Sequence, residues 1–355
     1  MTEKSEISEI NFYNKSIDSF FLPFCNLKFI THINLGNNRL TSLPIEIGSF
    51  INLTHLYIGD NRLVQLPSEI GKLENLTHFQ VCNNKLTFLP PEIGCLKKLK
   101  YLSLNFNSLS QLPEEIVNLE SLVELNLYSN TLISLPTGIG KLKNLAVLHV
   151  YDNLLTSIPD EICFLGKLTH LHLGKNFLQL LPENFGQLKK LFFLYLSYNQ
   201  LTALPESIGK LEALNYFYCS NNNLSHLPEQ FKNLKSITHI DLSNNKLQRL
   251  PVHIGCLSTL IQLNLQNNQI TEIPVSICKL HNLLHLHIGE NLLTSIPEEI
   301  GEMKNLVYLM LYSNNLQTLP EGLSNISKLN YFSFFNNKLS YIPPALNKLI
   351  TKVNT

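Results

Sequence analysis

Charge is scarce in this chain, and what there is cancels. Only 15% of residues are charged, and 27 acidic side chains offset 27 basic ones. A neutral chain has no bulk field with which to recruit nucleic acid or an anionic lipid surface, so neither is expected as a partner. Cysteine is sparse too. The seven are scattered, form no CxxC and lack the Cys/His spacing of a zinc site. An odd, dispersed set argues against a disulfide framework and suits a reducing compartment. No run of about 18 apolar residues exists, so no membrane span is expected. The opening MTEKSEISEI has neither the basic n-region nor the apolar h-region of a classical secretory signal. No glycine-rich phosphate loop interrupts the chain.

What is present is one pattern with a period of 23. Asparagine recurs at positions 38, 61, 84 and every twenty-third residue to 337, fourteen times without insertion or deletion. Proline follows six residues after each, from Pro44 to Pro343. Between the columns, stretches such as LTHLYIG alternate apolar and polar residues, as a strand with one buried face requires. Strands at a fixed period joined by long returns must pair in parallel. Each Asn falls where the chain leaves its strand. Its amide has enough donors and acceptors to bond its own turn and a neighbour's, which predicts a ladder of fourteen buried Asn. The Pro column is expected at the first position of an outer helical turn, with acidic residues such as Glu69, Glu115, Glu161 and Glu299 just after it. No single repeat buries enough to fold alone, so stability must come from stacking. INFYNKSI keeps the phase with Lys15 in the Asn slot and reads as a degenerate capping repeat.

These units resemble leucine-rich repeats, LxxLxLxxNxL followed by xxLPxxIGxLxxL. In the second full repeat the matching residues are Leu53, Leu56, Ile58, Asn61, Leu63, Leu66, Pro67, Ile70, Gly71 and Leu73. The 23-residue form with LPxxIG is similar to Ras-binding and LAP-type scaffolds and to leucine-rich-repeat proteins of pathogenic bacteria. It differs from the bacterial ubiquitin-ligase effectors, whose repeats are shorter and precede a catalytic domain. The resemblance implies an α/β solenoid: a right-handed horseshoe with a parallel concave β-sheet and short helical or 3-10 turns on the convex side. One domain is expected over 1–355, with a degenerate cap at 1–23, fourteen repeats at 24–343 and a helical cap and tail at 344–355.

If Leu56 and Ile58 point into the core, His55, Tyr57 and Gly59 point onto the concave face. Eleven of the thirteen Tyr and nine of the twelve His occupy such outward slots, and the core slots hold no Tyr. Strand propensity alone would not separate the two faces. Aromatics enriched and charge depleted is the composition of an interface core. The densest patch comprises Tyr101, Phe106, Tyr128, His149, Tyr151, His172, Phe193, Tyr195, Tyr198, Tyr216 and Tyr218, and we expect it to bind a partner protein. Tyr308, Tyr312, Tyr331 and Phe335 form a smaller patch. His32, His55 and His78 share one column, and His149 lies beside His172. Adjacent imidazoles can bind a zinc-like ion or act as a pH switch, because stacked protonated rings repel. No carboxylate or cysteine adjoins them to complete a metal site, so no metal and no cofactor are expected, and a metal- or pH-responsive binding protein built on these histidines is the alternative reading. Cys82 and His78 lie about 13 Å apart along one strand, too far for proton transfer, and no catalysis is expected.

The resemblance supplies two contexts for the partner. One is a host protein met by a bacterial protein that is cytoplasmic or delivered into the host cytoplasm. The other is an intracellular scaffold for a small GTPase. The first is favoured because almost the whole chain is repeat. Phe332 and Phe334 line the last layer, to be covered by the final segment or by a second copy in a homodimer through an end repeat.

Overall fold

The structure, a computed structural model, describes residues 8–20 and 27–353. The opening decapeptide's first seven residues, the end of the expected capping repeat and Cys25 lie outside the described residues. The chain divides into two compact units between Asn176 and Phe177.

The first unit carries eight three-residue strands: β1 (Glu9–Asn11), β2 (His32–Asn34), β3 (His55–Tyr57), β4 (His78–Gln80), β5 (Tyr101–Ser103), β6 (Glu124–Asn126), β7 (Val147–His149) and β8 (His170–His172). They pair in parallel in chain order, always one period apart, as in His32↔His55↔His78. The second unit carries β9 (Phe193–Tyr195), β10 (Tyr216–Tyr218), β11 (His239–Asp241), β12 (Gln262–Asn264), β13 (His285–His287), β14 (Tyr308–Met310) and β15 (Tyr331–Ser333), paired the same way. The register is as the alternation predicts. Leu56 and Ile58 are fully buried, whereas His55 and Tyr57 between them are half-exposed.

Asn84 shows what turns the chain at the end of each strand. Its Nδ2 donates to the carbonyls of Val81 (3.2 Å) and Cys82 (3.1 Å) in its own turn, and to that of Ile58 (3.1 Å) one repeat back. Its Oδ1 accepts the Leu63 N–H at 2.9 Å. Asn107, Asn130, Asn153 and Asn176 repeat the arrangement in the first unit. Asn222 to Asn337 repeat it in the second. Twelve of the fourteen are buried, and Asn61 and Asn337 are half-buried, so the expectation of fourteen buried residues is corrected at those two. The residue before each ladder Asn has φ between 50° and 61°, in the left-handed region that L-residues other than Asn and Asp avoid.

The outer segments are 3-10 turns, as at Ser68–Lys72. Proline precedes these turns instead of occupying their first position. Pro67 has φ −70° and ψ 150°, an extended conformation, and its carbonyl accepts the Ile70 N–H at 3.1 Å. The fixed ring sets the approach, and the carbonyl starts the turn. Neighbouring turns are so close that a Cβ on Gly71 would lie 2.8 Å from the Glu92 carbonyl oxygen. Where Val117 takes the glycine slot, Gly138 takes the facing one, and a Cβ there would meet Val117 Cγ1 at 3.2 Å. A last helix, Asn347–Val353, packs against β15, with Leu346 and Leu349 buried. Phe332 is buried, and Phe334 beside it, 4.8 Å between ring centroids, is half-buried.

Asn176 and Asp152 separate the ladder from the surface. Asn176 Nδ2 donates to Val150, Leu173 and Gly174, and Oδ1 accepts from Leu155. Asn176→Asp removes every donor and sets a carboxylate against those carbonyls, a loss on the order of 3 kcal/mol or more. Asp152 is half-buried at the surface, pairs with Lys175 at 2.7 Å and accepts from Ser129 Oγ at 3.0 Å, outside the ladder, with a φ of 60° that Asn also tolerates. Urea unfolding should show a strongly lowered midpoint for Asn176→Asp and a near-wild-type midpoint for Asp152→Asn. Equal midpoints would contradict the ladder.

Candidate partner-binding surface

On the outward strand face of the first unit, the first residues of β2 to β5 stack their rings. Centroids are 4.2 Å apart for His32–His55, 4.3 Å for His55–His78 and 4.6 Å for His78–Tyr101, with planes within 22° of parallel. A threonine before each histidine holds its ring. Thr54 Oγ1 donates to the Thr31 carbonyl at 3.0 Å and lies 2.8 Å from His55 Nδ1. Thr77 does the same for His78. A hydroxyl has one proton to give, so the ring proton sits on Nδ1 and the threonine oxygen accepts it. Burial lowers the pKa of His55, and charge on His78 and His32 lowers it further. Burial also lowers that of His78, aided by Lys100 and His32.

The predicted residues of this unit fall into separate groups. Tyr101 belongs to the histidine stack. Phe106 meets Tyr128 edge-on at 4.9 Å, and Tyr128 lies 5.2 Å from Tyr151. His149 and His172 are 4.4 Å apart. Burial is the main cause that pushes His172 down to about 4, with His149 and His170 adding to it. Burial lowers His149 as well, partly offset by the Glu124 carboxylate.

In the second unit Phe193, Tyr195, Tyr216 and Tyr218 form one cluster. Phe193–Tyr218 is 5.5 Å, Tyr195–Tyr218 is 5.9 Å, and Tyr216 stacks on His239 at 4.8 Å. Tyr198 stands apart from these rings, 53% exposed. The smaller patch splits into a His285–Tyr308–Tyr331 row and a stacked Tyr312–Phe335 pair at 5.1 Å.

One feature of the site went unread in the sequence. Phe106 and Tyr198 both occupy the left-handed slot before a ladder Asn, with φ of 53° and 61°. Asn, Asp and Ser fill most of these slots, so an aromatic there costs about 1–2 kcal/mol of backbone strain. Both rings are also well exposed, 46% and 53%. Strain together with an exposed ring points to function more than to packing. The signal was legible, since only Phe106, Lys175, Tyr198 and Glu290 break the small-polar pattern of that column.

The four buried cysteines are poor nucleophiles. Burial pushes the Cys163 thiol up to about 11 and the Cys278 thiol up to about 12, and raises Cys219 and Cys82 too. Such thiols stay protonated near neutral pH. Among the described residues, no group of three or more His, Cys, Asp or Glu is placed to hold a metal ion, and no helix is long and apolar enough to cross a membrane.

The repeat is recognised independently. The family described as leucine-rich repeat region matches residues 78–173 and 233–340, and two other leucine-rich-repeat families match 199–247 and 52–73. The chain belongs to the leucine-rich-repeat family. Comparison with curated proteins gives no match. Among solved structures, this leucine-rich-repeat chain is similar to a leucine-rich-repeat protein of Leptospira interrogans: 34% identity, 98% of this chain and 94% of that one covered, TM-score 0.86. It is similar to the ectodomain of a plant membrane receptor kinase of Arabidopsis thaliana, solved in complex with Casparian strip integrity factor 2. That likeness has 29% identity and a TM-score of 0.65, and covers 90% of this chain and 46% of that one. An internalin of Listeria monocytogenes shares the fold at 24% identity and TM-score 0.73, with 85% of this chain and 86% of that one covered.

The depressed histidine sets a pH dependence. The folded chain resists protonating His172, so the unfolded chain takes the proton first. Its contribution to stability is complete above the ordinary value of 6.5 and is lost as pH falls from there through about 4. Melting temperatures at pH 7 and pH 5 should drop further for wild type than for His172→Gln. Identical drops would show that this ring carries no such penalty.

Proposed function

We propose that this leucine-rich-repeat protein is a non-catalytic module that holds a partner protein on its outward strand face. That face is concave in the expected horseshoe. In the first unit the contact residues are Tyr101, Phe106, Tyr128, His149, Tyr151 and His172. In the second they are Phe193, Tyr195, Tyr198, Tyr216 and Tyr218. The observation that carries the reading is the pair of exposed rings, Phe106 and Tyr198, kept in the left-handed conformation where Asn or Asp would be less strained. Tyrosine gives large contact area for little lost rotamer freedom. Asparagine, serine and neutral histidine between the rings supply hydrogen bonds. Stacked repeats hold the rings before the partner arrives, which lowers the ordering cost of binding.

For the partner we favour a host protein, with this chain acting as an effector made in a bacterial cytoplasm and delivered to the host's. Its likeness to a leucine-rich-repeat protein of Leptospira interrogans supports a bacterial setting. The receptor-kinase ectodomain solved with its bound factor supports the use of this fold for protein recognition.

The test is capture from host-cell lysate. Wild type should retain a defined partner. Tyr195→Ala with Tyr218→Ala should weaken binding about 100-fold or more while the melting temperature stays within a few degrees of wild type. Undiminished capture by the double variant would remove the face from the account.

A further inference from the structure

The ring stack on the first unit stops abruptly. His32, His55, His78 and Tyr101 succeed one another along one column, and the next slot holds Glu124, which pairs in register with Tyr101. Tyr101 has one face on His78 and no ring neighbour in the following slot. Among the described residues Glu124 makes no ion pair, although it is half-buried. Beside this step lies a cavity of about 330 Å³. Its walls are Tyr57, His78, Tyr101 and Glu124, and Gln80 and Ser103 extend its lining. The depression arises because Ser103 is short where Tyr57, in the same column two strands earlier, is long. The volume is at the small end of the range of about 300–1,000 Å³ typical of ligand sites, suited to one long side chain.

We infer that this cavity binds an arginine side chain of the partner protein, its guanidinium continuing the ring stack on Tyr101 and pairing with Glu124. The inference rests on the partner-binding reading above and deepens it. A guanidinium is planar, stacks on aromatic faces and bonds a carboxylate in a fork. Those are the two surfaces the step offers side by side. Lysine has a compact charge that cannot extend a stack of planes. Burial, Lys100 and His32 all lower the pKa of the wall ring His78, which therefore adds no charge of its own near pH 7; the cation at Lys100 acts on this wall too, and the Glu124 carboxylate is the charge that offsets it. The His78 proton is committed to Thr77. Gln80 and Ser103 supply amide and hydroxyl groups at the lining for the remaining N–H donors.

The probe is Nα-acetyl-L-arginine amide, read by ¹⁹F NMR on the full chain carrying 3-fluorotyrosine. Tyr57→Phe and Tyr101→Phe assign the two signals. The arginine probe should shift both signals saturably. Its neutral isostere, Nα-acetyl-L-citrulline amide, and the lysine analogue should bind at least about tenfold more weakly. Glu124→Gln, a change on the strand surface that keeps shape, should weaken the arginine probe about tenfold. No saturable shift at Tyr57 and Tyr101, equal binding of citrulline or lysine, or full affinity in Glu124→Gln would each overturn the inference. If the arginine probe fails while Tyr195→Ala with Tyr218→Ala still abolishes capture, the pocket falls and the face stands. If the probe binds but capture survives that double variant, the face reading falls on its own.

Discussion

A side-chain amide that bonds two repeats at once is the constraint from which the rest follows. Asn84 donates to its own turn and to the carbonyl of Ile58 in the repeat before, and it accepts from Leu63 of that same earlier repeat. The bonds to Ile58 and from Leu63 cannot form without the earlier repeat in place. An amide buried at the end of a strand has no water to fall back on, so an absent neighbour would leave several polar groups unpaired. The period therefore cannot slip. A shift by one residue would put Leu56 on the open face and His55 in the core. The close turns on the opposite side add a second lock, with Gly71 against Glu92 and the reciprocal Val117–Gly138 pair.

A register held this firmly frees the outward slots to carry recognition. They bear no load in the ladder, yet their backbone positions are fixed. Rings one strand apart must stack or tilt against each other, as His55 does on His32 and His78. Threonine hydroxyls tie three of these imidazoles to the preceding strand and choose their tautomer. The left-handed slot before each Asn adds a place where a side chain is presented outward at a cost in strain, and two of the fourteen use it for an exposed aromatic.

Much of this was legible in the sequence, because period 2 within a strand and period 23 along the chain are both visible in the residues. Leu56, Ile58 and the Asn column needed no coordinates. The division of Tyr and His from the core followed from the same alternation. Other features depend on angles that residue types do not encode. Pro67 was expected inside the outer turn and lies just before it, because only ψ tells a cap from a first turn residue. Tyr101 was grouped with Phe106 and Tyr128 by proximity in the sequence, but its column aligns it with His78. The cavity beside Glu124 depends on the depth left by Ser103 between larger neighbours, a property of packing and not of composition.

The measurement that bears most directly on the register is hydroxyl-radical footprinting of the folded chain, read residue by residue by mass spectrometry. The account predicts rapid oxidation of Tyr101, Phe106 and Tyr198, with Leu56, Ile58 and Leu102 protected. Reactive leucines in those slots, with the three rings shielded, would contradict it.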